Sequence, residues 1–352
     1  MVDRETITKI IEYGSYAPSG DNSQPWRFEI EGNKINIFNI PGKDNPILNV
    51  RNSGSYVAHG ALIENMLIAA SQMGFTADLK IFPQGISDLV SSITLSPSSA
   101  KSEPLFPFIK ERATNRKPYK KIPLSEAEKE VLLSAGSAIP GCELKLVEER
   151  EMIRTVAEAM SVTERVALET MALHNLFFKS IFWDETKNKR GESGLYIKTL
   201  EVPPPVRVIF KMIKKWPVMR FFNAFGFNKL AAKGNAALYA QSAAHGAIII
   251  EDESQNFVAA GRVFQRAWLE ATRLGLSLQP VTGTLFLARR VEGREDNPFS
   301  EKNSDLIRKA SQKISFIFGI NGSRVAAMLF RIGRADSPSA RSGRKIPEVI
   351  FK

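Results

Sequence analysis

The sequence predicts a mixed α+β fold in which one chain carries two degenerate copies of the same unit. Helix-period and strand-period segments are interleaved along the whole length, and the apolar content of 43% with 24% charged residues is ordinary for a globular protein. An offset of 122 residues sets Ile10, Ile11, Gly14 and Pro18 against Leu132, Leu133, Gly136 and Pro140. An offset of 201 sets Gly60, Leu67, Ala70 and Gly74 against Gly261, Trp268, Ala271 and Gly275. Both pairings keep the helix period and superpose glycines, as a worn internal duplication does.

The elements follow in order. Ile7, Ile10 and Ile11 at helical spacing predict an opening helix that ends near Gly14. Trp26 to Ile30 and Lys34 to Ile40 alternate apolar and polar residues around Gly32-Asn33, which predicts a hairpin. A long helix from about Ser55 to Met73 closes at Gly74, and Ala77 to Phe82 and Leu89 to Leu95 are strand-like. These make a first half, residues 1–98, followed by a linker-like run from Ser96 to Ser102. The second half, residues 103–352, opens with a helix from Ser125 to Ala135 whose Ser125 and Glu128 have capping-box spacing. A strand from Glu143 to Val147, a long helix from Glu151 to Phe182, a buried strand from Ala247 to Ile250, a helix from Ser300 to Phe318 and a strand from Val325 to Ile332 complete it.

Composition excludes several classes of function. Cys142 is the only cysteine, so thiolates build no disulfide, zinc cluster or iron–sulfur centre, and three histidines (His59, His174, His245) argue against a histidine metal site. No metal is expected. The N-terminus lacks the pattern of a secretory signal, and no uninterrupted apolar run reaches about 18 residues, so a soluble cytoplasmic protein is expected. The net charge of +11 is localised: between Val202 and Ile250 there is no Asp or Glu, while Arg207, Lys211, Lys214, Lys215, Arg220, Lys229 and Lys233 all fall there. Such a patch argues for a local role and against a nucleic-acid footprint over the whole protein.

Two stretches carry candidate chemistry. Pro18-Ser19-Gly20-Asp21-Asn22-Ser23-Gln24-Pro25-Trp26 sets two amides between backbone-fixing prolines, with Gly20 available for positive φ. Asn22 and Gln24 can each donate and accept, which suits the edge of a flat heterocycle; a capped helix end and turn is the other reading of these residues. In Arg112-Ala113-Thr114-Asn115-Arg116, Pro118 favours an extended run in which Arg112, Thr114 and Arg116 point the same way. Two guanidinium forks flanking a hydroxyl form a phosphate grip, and a solvated basic turn is the alternative.

Together these stretches resemble the nitroreductase family of flavoproteins, through Arg112-x-Thr114-x-Arg116, the Gln24-Pro25-Trp26 turn and Gly275-Leu276-Ser277-Leu278-Gln279-Pro280-Val281-Thr282-Gly283. The resemblance covers most of the chain, with about residues 176–233 as the chief insertion. In typical members two chains share FMN sites at their interface. Here the Gln-Pro-Trp turn lies in the first half and the paired arginines and Pro280 segment in the second, so one chain imitates the dimer, as in the double-length, Acg-like members. The resemblance implies a nitroreductase-like fold holding FMN between the halves. Arg112 and Thr114 would meet the phosphate or ribityl chain, and Arg116 would lie near N1 and O2 of the ring. Pro280, Thr282 and Gly283 would lie against the ring, although the family often has glutamate where Thr282 stands. Ser19, Gly20, Asn22 and Gln24 would close the site from the first half, and Arg341 and Arg344 would add charge at the phosphate. No protein side chain is assigned as catalytic, since the chemistry belongs to flavin N5.

The implied activity is NAD(P)H-dependent reduction of a small electron-poor acceptor, a nitroaromatic or a quinone, by hydride relay. The alternative is an FMN-binding or sequestering protein with little turnover. The insertion, about residues 176–233, suits a lid over the flavin, and its residues 205–233, which loosely alternate apolar and basic residues, suit peripheral contact with an acidic membrane. A monomer or a further homodimer is compatible with the pseudo-dimer.

Overall fold

The computed structural model describes residues 2–99, 103–293 and 296–352. Helix α1 (Arg4–Ser15) starts at Asp3, whose carboxylate accepts the Thr6 N–H at 2.8 Å, and buries Ile7, Ile10 and Ile11. The hairpin β1 (Trp26–Glu31) and β2 (Lys34–Asn39), the 20-residue helix α2 (Ser53–Gln72), β3 (Phe75–Ile81) and β4 (Leu89–Pro97) follow. Strand β4 takes Ser96 and Pro97 out of the expected linker, and Ala100 to Ser102 lie outside the described residues.

Past a single turn, α3 (Phe108–Glu111), comes α4 (Glu126–Ser137), where the capping box of Ser125 and Glu128 is formed, and then β5 (Cys142–Val147). Seven helices and two short strands intervene before the next long strand. They are α5 (Arg150–Met160), α6 (Val162–Glu169), α7 (Met171–Ser180), β6 (Ile181–Phe182), α8 (Glu185–Lys189), β7 (Leu195–Tyr196), α9 (Pro204–Ile213), α10 (Trp216–Ala224) and α11 (Phe227–Tyr239). The chain then forms β8 (Ala244–Glu251), α12 (Ser254–Arg273), β9 (Ser277–Pro280), α13 (Gly283–Glu292), α14 (Glu301–Phe318), β10 (Arg324–Gly333) and β11 (Val349–Phe351).

The single helix expected over Glu151–Phe182 is therefore three helices. It breaks at Ser161 and at Thr170, whose backbone is extended (φ −114°, ψ 112°). The break is supported from outside: the Asn223 amide donates to the Leu168 carbonyl at 2.6 Å, taking up an acceptor that a continuous helix would have used itself.

The two halves have one topology. The first sheet runs β11-β1-β2-β4-β3 and the second β5-β8-β10-β9. Matching β1, β2, β3 and β4 to β5, β8, β9 and β10 makes the strand orders identical, and every matched ladder is antiparallel. Helices α1 and α2 correspond to α4 and α12. Strand β11 then pairs in parallel with β1, so the tail of the second half crosses to the sheet of the first.

The halves meet where α2 crosses α12, and the contact is reciprocal. A Cβ on Gly60 would lie 2.0 Å from the Val258 carbonyl oxygen, and one on Gly261 would lie 2.0 Å from the Val57 carbonyl oxygen. Val57 and Val258 are themselves 201 residues apart, so each glycine admits the other helix at the equivalent place, the signature of a two-fold contact. Gly74 and Gly275 end the two helices in the same left-handed conformation (φ 81° and 70°). Around the crossing, buried Glu64 is held by Arg262 at 3.0 Å and Arg266 at 2.7 Å, and the Gln265 amide donates to Asn65 at 2.7 Å. One apolar core runs from Ile10, Phe28 and Leu62 through to Ile248, Phe264 and Trp268, without a seam between the halves.

Two buried histidines set an acid limit on this core. His59 on α2 and His245 on β8 are fully enclosed, each with Nε2 against a backbone carbonyl (Pro25 at 3.2 Å, Tyr239 at 3.0 Å) and Nδ1 without a partner. Burial pushes both down to about 4. Unfolded, they would titrate near 6.5, so the unfolded chain binds more protons between those values and stability falls as pH drops through that window. The cost is roughly 3 kcal/mol per histidine. The acidic groups of the cavity described below have raised values and oppose this trend, so the histidine contribution is isolated by difference. Relative to His59→Gln, which keeps a donor for Pro25, the wild type should lose about 3 kcal/mol between pH 7 and pH 4 in urea unfolding. A pH-independent difference would show that His59 is not held neutral.

Candidate functional site

A cavity of about 350 Å³ opens beside the crossing and draws its walls from both halves. Val57 and Ala58 of α2, Phe264 of α12 and Met328 of β10 provide apolar surface. The turn before β1 provides Pro18 to Asn22, the extended run after α3 provides Arg112 to Thr114 and Arg116, and the β9–α13 junction provides Gln279 to Gly283. The tail crosses the rim with Ala340, Arg341, Ser342 and Arg344.

Of the twelve residues singled out in the sequence, Ser19, Gly20, Asn22, Arg112, Thr114, Arg116, Pro280, Thr282, Gly283, Arg341 and Arg344 all line this cavity. Gln24 does not. Its Nε2 donates to the Gly191 carbonyl at 3.0 Å and its Oε1 accepts the Lys345 N–H at 2.9 Å, so it ties the insertion and the tail to the turn. Gly20 is not the residue with positive φ either; Asp21, Asn22 and Gln24 are (φ 46°, 57° and 51°). What Gly20 contributes is clearance, since a Cβ there would meet the Asp44 carboxylate at 3.0 Å. Three non-glycine residues in the left-handed region within one turn is strained backbone of the kind that ligand sites hold.

Thr114 bridges in parallel to Leu278 and so extends the second sheet by one residue past β9. That pairing alternates the side chains: Arg112, Thr114 and Arg116 face the cavity, while Asn115 turns away to donate to Ser277 Oγ at 2.9 Å and to the Asp336 carbonyl at 2.8 Å. Gly283 opens α13 against α6, where a Cβ would fall 2.4 Å from Thr163, so the backbone itself is the cavity wall at that point.

Charge divides the cavity into two ends. At one, Arg112 is buried with its guanidinium 4.4 Å from the centre of the Trp268 ring, and donates to the Tyr16 carbonyl at 2.7 Å. Arg344 donates to the same carbonyl at 3.3 Å and to Asn22 Oδ1 at 2.9 Å, and Arg341 donates to the Lys110 carbonyl at 3.0 Å. Among the described residues no carboxylate pairs with these three, and the buried Nε atoms of Arg112 and Arg344 have no acceptor. Burial first, then Arg344 and Arg341, push Arg112 far below its usual value, and burial brings Arg344 to about 10. Converging cations with unused N–H groups are the donor set that a phosphate satisfies.

The other end is acidic and was not anticipated. Asp44 accepts from Ser55 Oγ at 2.7 Å, and Glu164 accepts from the Tyr239 hydroxyl at 2.5 Å while its second oxygen has no partner. Burial raises Asp21, Asp44 and Glu164 alike, and Asp44 adds to the rise at Asp21. Arg116, on which the charge of Asp21 acts, donates to the Thr199 carbonyl at 2.9 Å. Asp21 was legible as part of the turn; Glu164 and Tyr239 carry no local signal.

Part of the expected lid, about residues 176–233, borders the cavity. From the insertion, Leu195 and Thr199 reach the cavity, whereas none of residues 201–233 lines it. Helices α9 and α10 instead close a separate apolar cluster of Phe178, Ile181, Tyr196, Ile213 and Met219.

Fold and cavity define a duplicated α+β protein with an arginine-lined cavity at the junction of its halves. Its similarities lie among nitroreductases. No family model matches the chain. It is 25% identical over 349 residues to "Uncharacterized protein MT1398" of Mycobacterium tuberculosis, covering 95% of this chain and 46% of that protein. Over 106 residues it is 30% identical to the protein provisionally named NAD(P)H nitroreductase acg of the same organism, covering 29% of this chain and 31% of the relative. The chain thus spans less than half the length of these curated relatives. Among solved structures, a nitroreductase with bound FMN from Desulfitobacterium hafniense DCB-2 aligns at 12% identity over 69% of this chain and 94% of its own, with a TM-score of 0.37.

Proposed function

We propose that this protein is an FMN-dependent NAD(P)H oxidoreductase that reduces small electron-poor acceptors such as nitroaromatics or quinones. The observation that carries the reading is the meeting of Arg112, Arg341 and Arg344 without a carboxylate at the end of an otherwise partly apolar cavity. The nitroreductase name of the acg relative supports the class of reaction.

The residues fit the cofactor. Arg112, Arg341 and Arg344, with the Thr114 hydroxyl, would hold the phosphate, a dianion that relieves the like-charge crowding of the three guanidiniums. Phe264, Met328, Val57 and Phe286 offer apolar surface to a planar ring, and Arg116 would place a fixed cation beside it. Pro280 to Gly283 present backbone at close range because Gly283 has no room for a side chain. When bound, FMN supplies hydride acceptance from NAD(P)H and hydride donation to the acceptor at N5. The side chains bind, orient and exclude water.

A second reading, retention of flavin with little turnover, is favoured by the tail. Gln24 and Asn188 fasten residues 341–345 across the rim, through Asn188 to Arg341 O at 3.0 Å and Gly343 N to Asn188 at 3.0 Å. The visible absorption spectrum of the purified protein, then of the same sample after anaerobic NADPH, tests both. We expect a flavin spectrum that bleaches. A spectrum that persists selects retention, and a protein that neither contains nor binds FMN overturns both.

A further inference from the structure

The basic insertion presents apolar side chains to solvent on the face opposite its core. On α9, Phe210 and Ile213 pack inward, while Val208 (62% exposed) and Met212 (49%), one helical turn apart, point out. On α10 and the residue that caps its C-terminus, Met219 and Phe222 pack inward, while Phe221 (63%) and Phe225 (78%), again four positions apart and 5.1 Å between ring centres, point out. Leu230 at the start of α11 adds to them. Exposed apolar residues scattered singly need no explanation, but a run of this kind on adjoining helices does.

The same helices carry Arg207, Lys211, Lys214, Lys215, Arg220, Lys229 and Lys233 with no acidic residue from 202 to 250. None of the seven forms an ion pair among the described residues. Pairing with a second copy of the chain through this face would set the cations against themselves, since a two-fold contact uses the same patch twice. Nucleic acid would engage the cations and leave the aliphatic and phenyl groups unused. A surface that is apolar at depth and anionic above it satisfies both.

We infer that α9, α10 and the start of α11 form a docking surface for an anionic lipid bilayer, with Val208, Met212, Phe221, Phe225 and Leu230 entering the acyl boundary and the lysines and arginines meeting the headgroups. Helices of this composition lie in the interface plane, and each basic residue near an anionic leaflet adds about 1 kcal/mol. Two short helices broken at Lys214–Lys215 and Gly226 span no bilayer, and no helix among the described residues is long and apolar enough to cross one. The surface lies apart from the cavity, so the inference stands without the flavin reading.

Co-sedimentation with vesicles of phosphatidylglycerol in phosphatidylcholine, against phosphatidylcholine alone, tests it with the full chain. We expect binding to the anionic vesicles that weakens with salt. Phe221→Ser with Phe225→Ser should lower partitioning at least about tenfold, because each phenyl group loses its transfer into the boundary. Those substitutions leave core and cavity intact, so the melting temperature and FMN content should not change. No binding to phosphatidylglycerol at low salt overturns the inference. So does binding that the double substitution leaves untouched and that duplex DNA reproduces, which would mark the patch as a polyanion site.

Discussion

Gly60→Ala should destabilise the protein by about 3 kcal/mol or more, although alanine is the better helix former. In an exposed helix the exchange would stabilise by about 1 kcal/mol. Here the new methyl would stand 2.0 Å from the Val258 carbonyl oxygen and 2.9 Å from the Arg262 nitrogen, and neither is the free end of a side chain. Backbone of α12 has to move, so the two helices must separate. Separation strips contact from Leu62, Val258 and Phe264 in the core, and it shifts Val57 and Ala58 in the cavity wall. Gly261→Ala meets Val57 in the same way, and the same separation relieves both clashes. The pair should therefore be non-additive, the double variant losing clearly less than the sum of the singles in urea or thermal unfolding. A neutral or stabilising Gly60→Ala, or strict additivity, would refute the reciprocal crossing.

That crossing also shows how far the sequence could be read. The offset of 201 residues that superposes Gly60 and Gly261 is visible without coordinates, because glycine inside a helix pattern is costly and a paired cost points to a shared cause. The hairpin, the long helix α2 and the capping box at Ser125 are local features and lay where periodicity put them. The matching strand orders are not local. They depend on β8 reaching β5 across nearly a hundred residues, and no spacing announces that. For the same reason the break at Thr170 was missed: its cause is the Asn223 amide on α10, more than fifty positions away. Leu133 marks the limit of the duplication, since its counterpart Ile11 is fully buried while it is 40% exposed.

The site divides along the same line. Arg112, Thr114 and Arg116 were legible because an extended run forces alternate residues to one side, and Asn115 confirms the alternation by facing away. The side-chain amide of Gln24 was read as facing a ligand, but donors and acceptors look alike in sequence whether a heterocycle or the chain's own tail satisfies them. Glu164 and Tyr239 come together only because α11 packs along α6, so no motif could have reported the acidic end.

Arg112→Met should lower FMN affinity about 100-fold and leave riboflavin affinity nearly unchanged, since a charge-assisted hydrogen bond to phosphate contributes up to about 3 kcal/mol. Methionine keeps an unbranched apolar chain over the Trp268 ring, so packing is largely retained. The apo-protein should not suffer: Arg112 is buried with Arg344 and Arg341 as its charged neighbours, and removing it relieves repulsion and desolvation together. The expected result is thus a melting temperature for the apo-variant at or above that of the wild type, combined with loss of the extra stabilisation that added FMN confers. Titration of apo-protein with FMN and with riboflavin reads the difference directly. Equal loss of both ligands would place Arg112 against the ring or the ribityl chain instead of the phosphate. A fall in apo-protein stability would mean that its single hydrogen bond to the Tyr16 carbonyl outweighs the cost of burying the charge, and the three arginines would then be a structural feature of the tail with no anion to hold.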